Sequence, residues 1–127
     1  MMRDARIELT IWDGDYEFRL GWGEISQLQE KCDAGPLVVL HRLEHKLWRS
    51  EDIEATLRLG LIGAGRKPEE ATKLIKDHVK TRPVGEYALA AQAVLVAAVY
   101  GATDEPVGEG DAASQIEHSL TTSLTES

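Results

Sequence analysis

The sequence predicts an α+β fold that is mainly helical, with an N-terminal β-hairpin packed on about five helices and a disordered acidic tail. Three observations predict it. Residues 6–20 alternate polar and apolar side chains around a turn signal, and residues 25–99 place apolar residues at helical spacing between glycine and proline breaks. Residues 104–126 contain six acids and no lysine or arginine. We therefore expect a folded domain over residues 1–102 and a flexible tail over residues 103–127.

The first element is the β-hairpin. Apolar residues alternate with polar ones before and after a turn signal at residues 13–15. A hairpin alone is marginal in water, so its apolar face should pack on the helices. The residues expected to face inward are Ile7, Leu9, Ile11, Phe18 and Leu20, with Tyr16 on the same alternation.

The first two helices are separated by the breaker Ala34-Gly35-Pro36. Before it, Ile25, Leu28 and Cys32 lie at i, i+3 and i+7, the spacing of one helical face. Pro36 suits the first turn of the second helix, because proline lacks the N–H that a helix start leaves unbonded. The second helix and its end carry apolar residues that cover more than one face: Leu37, Val38, Val39, Leu40, Leu43, Leu47 and Trp48.

The remaining three helices have equally clear boundaries. Ser50 is the predicted N-cap of the third, which ends at the Gly-Ala-Gly run of residues 63–65. The fourth opens at Pro68 and stops before Pro83, because the residue before a proline avoids helical geometry. The fifth runs from about residue 85 to residue 99. Its apolar residues surround the axis, which predicts a central helix or one that also meets a partner.

Composition and charge exclude several classes of function. The 127 residues carry a formal net charge of −8, which disfavours nucleic acids and anionic membranes, since both are bound through Lys and Arg. The longest apolar stretch, residues 87–100, is too short to span a bilayer. Cys32 is the single cysteine, so no intrachain disulfide can form. No apolar run follows the N-terminus, so we expect no signal peptide and a cytoplasmic location.

His41, Glu44 and His45 fit H-x-x-E-H, a zinc-protease pattern. Two histidines four residues apart face the same way on a helix, and the glutamate between them could act as a general base. A catalytic site also needs a third ligand on a rigid element and a substrate cleft. The favoured interpretation is the solvent side of an amphipathic helix. We therefore expect no structural or catalytic metal, no cofactor and no enzymatic activity.

Two further motifs have ordinary structural interpretations. Residues 60–67 distantly resemble a phosphate-binding loop, but Arg66 and Lys67 occupy its Lys and Ser/Thr positions and a helix precedes them. A glycine-rich helix end is favoured. Cys32 falls on the inner face of the first helix and is interpreted as a buried structural thiol.

Two surfaces are candidates for partner binding. On the second helix, Val38, Val39 and Trp48 exceed what one core can easily absorb, and Trp48 could anchor a partner; the alternative is that all three complete the core. A basic cluster on the fourth helix could dock an acidic partner or the chain's own tail, and the alternative is a solvated helix face. Its candidate contact residues are Lys73, Lys76 and Lys80, beside Arg66, Lys67 and Arg82.

Several segments, taken in order, carry a family resemblance. They are the strand YEFRL at residues 16–20, GEISQLQE at 23–30, DIEATLRLGLIGAG at 52–65, and Glu70-Ala71 followed by an alanine-rich helix that Gly101 closes. Together they resemble the tail assembly chaperones of phages and of phage-like gene transfer agents, over about residues 6–102. Members of this family are also described as tail tube components.

The resemblance implies a non-enzymatic protein that binds the tape-measure protein of the tail. It would cover the apolar stripes of that long helical protein until the tail tube polymerises, and it could also contact the tail tube protein. The resemblance carries over no catalytic residue. One alternative is a structural tail tube or head–tail connector subunit, which would form homo-oligomeric rings. A remote alternative is a zinc-dependent hydrolase that uses H-x-x-E-H.

Overall fold

The predicted hairpin is present in the computed structural model, which describes residues 4–102. β1 (Arg6–Ile11) and β2 (Gly14–Arg19) pair antiparallel along their full lengths. The alternation correctly predicts which side chains turn toward the helices. Ile7 and Ile11 are half-buried, and the buried residues of this set are Leu9, Tyr16, Phe18 and Leu20.

Two residues, Trp12 and Asp13, connect the strands. Trp12 has a φ of 59°, a left-handed conformation that bulky side chains rarely adopt. Its ring centroid lies 5.0 Å from that of Tyr16, 5.4 Å from that of His78 and 6.2 Å from that of Tyr87. These aromatic contacts hold the tip of the hairpin against the helices and offset the cost of the backbone conformation.

Within residues 4–102, five α-helices follow the hairpin, as predicted. They are α1 (Trp22–Cys32), α2 (Pro36–Glu44), α3 (Ser50–Gly63), α4 (Pro68–Leu74) and α5 (Ala88–Tyr100), with a π-helical turn (Ile75–Val79) that continues α4. α2 ends early, so Leu47 and Trp48 lie in the segment before α3 and not on the helix. α5 begins later than expected, because residues 84–87 form a turn after Pro83.

The start of α3 differs from the prediction in its capping residue. The N-cap is Arg49, and Ser50 is the first helical residue, whose hydroxyl donates to Glu51. The capping acceptor is Asp52, whose Oδ2 accepts the Arg49 N–H at 2.8 Å. The Asp52 carboxylate thus acts as the N3 acceptor of a capping box and binds the backbone N–H of the N-cap residue, whereas a capping serine would accept from a backbone N–H further into the helix.

Asp52 also forms a buried ion pair, the Arg42–Asp52 joint. Asp52 is fully buried, and Arg42 Nη1 donates to its Oδ1 at 3.1 Å and to the backbone carbonyl of Cys32 at 3.1 Å. The Cys32 thiol in turn donates to the carbonyl of Glu51. The joint therefore ties together the end of α1, the inner side of α2 and the start of α3.

α3 and α5 form the centre of the core, as the all-apolar pattern of the fifth helix predicted. α3 packs on α1, β2 and α5, while α5 packs on α2, α3 and the hairpin. Gly63 permits the closest of these approaches, because a Cβ atom there would lie 1.8 Å from the backbone oxygen of Arg19. A Cβ atom at Gly60 would lie 3.1 Å from the Phe18 ring. These two glycines let the end of β2 lie directly on α3.

The first and last described residues of the chain meet beside the hairpin. The Ala102 N–H donates to the carbonyl of Asp4 at 2.8 Å, and the Asp4 carboxylate pairs with Arg19 at 3.5 Å. The tail predicted over residues 103–127 lies outside the described residues. Among residues 4–102, no helix is long and apolar enough to cross a membrane.

Candidate interaction surface

The second helix divides its apolar residues between the core and solvent. Successive residues are rotated by about 100°, since a turn takes 3.6 residues. Val39, Leu40 and Leu43 share one side and are buried. Leu37 and Val38 lie on the other side and are 56% and 49% exposed. We call the residues of this second side, Leu37, Val38, His41 and His45, the outer face of α2.

Val39 is therefore removed from the predicted partner surface. Its side chain is completely buried, because it lies on the same side of the helix as Leu43, four residues later. Val38 remains on the surface as predicted. Leu47, in the segment just beyond the helix, is 64% exposed.

Trp48 lies between the two alternatives that the sequence left open. It is half-buried and packs against the core. Its ring covers Gly85, where a Cβ atom would lie 3.0 Å from Trp48 Cζ2. This contact joins the segment before α3 to the turn before α5. Trp48 is therefore mainly a packing residue, and only part of its ring is exposed.

Trp22 is an exposed aromatic residue that the sequence analysis did not single out. It is the first residue of α1 and is 93% exposed. Trp22 lies three residues before the half-buried Ile25, and this spacing alone does not reveal that Trp22 is exposed. The available signal was its neighbours, because Gly21 and Gly23 have no side chains to cover the ring. The Gly21 N–H donates to Glu24 Oε1 at 3.0 Å, which fixes the start of this helix.

The predicted basic cluster is largely neutralised within the chain. Lys73 pairs with Asp77 at 2.7 Å, and Lys80 pairs with Glu54 at 3.1 Å. The hydrogen bond to Asp77 raises the pKa of Lys73, and the reciprocal bond lowers the pKa of Asp77. Lys76 is exposed, with no acidic partner in the part of the chain that the structure describes. The arrangement fits a solvated helix face better than a docking patch.

One family model matches this chain. It is described as phage tail tube protein, GTA-gp10, and it matches residues 4–101, which span the hairpin and all five helices. The chain belongs to this family. No curated protein and no solved structure matches it. The match confirms the resemblance to a phage-type tail family of gene transfer agents. The family's description names a tail tube protein and not a chaperone.

The three residues of the H-x-x-E-H pattern, His41, Glu44 and His45, lie close together in the structure. The ligand atoms of His41, Glu44 and His45 all lie within 4.8 Å of one another, and the two imidazole centroids are 4.2 Å apart. Both histidines are exposed and Glu44 is half-buried. The three residues lie at the C-terminal end of α2 with both imidazoles open to solvent, whereas the substrate site of a hydrolase is a cleft that buries its ligand.

Two other motifs have the structural roles that the sequence favoured. The glycine-rich residues end α3: Gly65 has a φ of 114°, its N–H donates to Ile62, and the Arg66 N–H donates to Leu61. These bonds close a helix C-terminus and do not cradle a phosphate. Cys32 is buried, and its burial raises the pKa of the thiol to about 12. A protonated, covered thiol is a poor nucleophile.

Proposed function

We propose that the chain assists the assembly of a phage or gene-transfer-agent tail by binding the tape-measure protein before the tail tube polymerises. The observation that carries the proposal is the exposed pair Leu37 and Val38 on the outer face of α2. A protein that holds an apolar helix must keep apolar side chains at its surface, and the core does not use these two.

Further features support a holding role. Leu47 and Trp22 add exposed apolar area, and an exposed tryptophan is typical of residues that anchor protein interfaces. The formal net charge of −8 opposes self-association of a protein with such a surface. The proposed function needs neither catalysis nor a cofactor, and it places the chain in the cytoplasm of the producing cell.

The charged and polar side chains on the outward side of the hairpin favour an assembly chaperone over a tail tube subunit. Arg6 and Glu17 form an exposed ion pair across the strands at 2.5 Å, and the Thr10 hydroxyl donates to Asp15 at 2.6 Å. Both strands of this two-stranded sheet are edge strands, and charged side chains on edge strands discourage pairing with a strand of another copy. The hairpin is therefore a poor starting point for a continuous tube wall.

The proposal is tested by co-expressing the chain with the tape-measure protein from the same gene cluster and measuring capture. The double variant Leu37→Ser/Val38→Ser should lose roughly tenfold or more of the captured protein, since few residues dominate such interfaces. Its melting temperature should stay within a degree or two. The matched control is Val84→Ser, which removes a comparably exposed residue (54%) from the turn before α5.

The outcomes separate the surface from the function. Normal capture by the double variant would show that another surface binds the tape-measure protein. No capture by the unaltered chain, at any expression ratio, would contradict the proposed function itself. Equal losses in the control and the double variant would point to non-specific adhesion.

A second candidate function is a subunit of the tail tube, which the description of the matching family favours. Such a subunit would assemble with copies of itself. Electron microscopy of the purified chain should then show rings or tubes, and the chain should be present in finished particles at many copies. A chain that stays dispersed and is absent from particles supports the assembly role instead.

A further inference from the structure

We infer that His41, Glu44 and His45 form an exchangeable binding site for a divalent late transition-metal ion, represented experimentally by Zn²⁺. The three ligand atoms lie within 4.8 Å of one another. Small side-chain rotations bring such atoms to the spacing that a zinc ion requires, at about 2.0–2.2 Å from each nitrogen or oxygen. The inference concerns binding and does not depend on the proposed function.

The chemistry of the three side chains suits such an ion. Imidazole nitrogens are preferred ligands of Zn²⁺, Ni²⁺ and Cu²⁺, and a carboxylate supplies a hard, negatively charged third ligand. The histidines lie four residues apart, so both rings emerge on the same side of the last turn of α2. With three ligands from the protein, a water molecule can occupy the fourth position.

The position at the end of α2 also favours a cation. His45 is the C-cap residue, where carbonyl groups without helical partners give the helix end a partial negative charge. Arg42, which follows His41, does not occupy the site, because its guanidinium is held by Asp52 and the Cys32 carbonyl. Lys46 follows directly and is exposed, and its charge limits the affinity.

Exposure makes the ion exchangeable. Both histidines are open to solvent, so water can reach an ion that they hold. A purified, untagged chain that has been dialysed should therefore retain far less than one zinc ion, in agreement with the expectation that no structural or catalytic metal is held. Added Zn²⁺ should nevertheless bind reversibly.

The experiment titrates Zn²⁺ into the untagged full chain and measures heat or competition with a colorimetric indicator. One ion per chain should bind. His41→Ala and His45→Ala should each weaken binding roughly tenfold or more, because each removes one of three ligands, and Glu44→Gln should weaken it several-fold. His118→Ala, which removes a histidine that is not one of the three proposed ligands, is the control.

The circular dichroism of every variant should match that of the unaltered chain, so a loss of binding cannot reflect unfolding. Binding that survives both His41→Ala and His45→Ala overturns the inference, as does the absence of binding at millimolar Zn²⁺. An equal loss in His118→Ala would place the ion elsewhere and would also overturn it.

Discussion

The two sides of α2 carry the same kind of residue and serve different ends. Val39, Leu40 and Leu43 are buried against the core, while Leu37 and Val38 are exposed. All five are aliphatic, so composition does not distinguish them, and only rotation about the helix axis does. Stability and the proposed partner binding should therefore depend on different residues of this helix. Substitutions on the inner side should lower the melting temperature, and those on the outer side should reduce partner capture.

The largest effect is expected where the inner side of α2 is anchored to α3. Asp52→Ala should cost about 3–5 kcal/mol of unfolding free energy, because it leaves the Arg42 guanidinium without its buried partner. Chemical denaturation measures this cost. Glu51→Ala is the control, since it removes an exposed acid from the same helical turn and should cost less than about 1 kcal/mol. A cost at Asp52 no larger than at Glu51 would contradict the structural importance of the joint.

The most direct test of the comparison uses two leucines on one helix. Leu40→Ala should cost about 2–5 kcal/mol, because it opens a cavity in the core. Leu37→Ala should change stability by no more than about 0.5 kcal/mol, since its side chain is mostly in solvent. Thermal melts of the two variants give the answer. Similar costs would mean that the outer face of α2 is covered in solution.

A pair of glycines extends the contrast beyond α2. Gly63→Ala should cost about 1–3 kcal/mol or more, because the new methyl group would collide with the Arg19 carbonyl. Gly23→Ala should stabilise the chain by about 0.5–1 kcal/mol, since nothing lies within 4 Å and alanine is the better helix former. If Gly63→Ala is neutral, β2 and α3 are not held as closely as the structure places them.

The smallest effect is expected at the border between the two sides. Trp48→Ala should cost about 1–3 kcal/mol, below the roughly 3–5 kcal/mol of a fully buried tryptophan. Trp22→Ala should stay within about 0.5 kcal/mol, since the ring is exposed. If Trp48→Ala leaves the free energy of unfolding nearly unchanged, the ring does not stabilise the fold, and Trp48 becomes a candidate anchor for a partner. Capture of the tape-measure protein by both variants shows which ring contributes to binding.

Much of the fold could be predicted because its signals are local. The alternation of residues 6–20 depends on the two-residue period of a strand, and Pro36 and Pro68 open helices through their own backbone chemistry. The family resemblance extended over most of the chain, and the match over residues 4–101 confirmed it. Chaperone and tube roles were not separated, because both use protein surfaces and neither requires a chemical motif.

The candidate surface was predicted less well, because exposure depends on what the rest of the chain covers. Val38 and Val39 are adjacent valines, yet Val38 is half exposed and Val39 is completely buried. Lys73 and Lys80 were candidate contacts for an acidic partner, but one pairs within its own helix segment and the other with α3. Trp22 was not singled out, and nothing in the apolar spacing of its helix distinguishes an exposed tryptophan at the first position from a buried one.

By itself, the sequence determined the hairpin, the number of helices, the glycine-rich end of α3 and the buried setting of Cys32. These features follow from backbone preferences and from the period of apolar residues, which act over a few positions. The tertiary structure alone decided that Asp52 caps α3 and pairs with Arg42, that Val39 belongs to the core, and that Leu37 and Val38 remain in solvent. Those outcomes depend on the rotation and packing of whole helices against one another, and no local pattern contains that information.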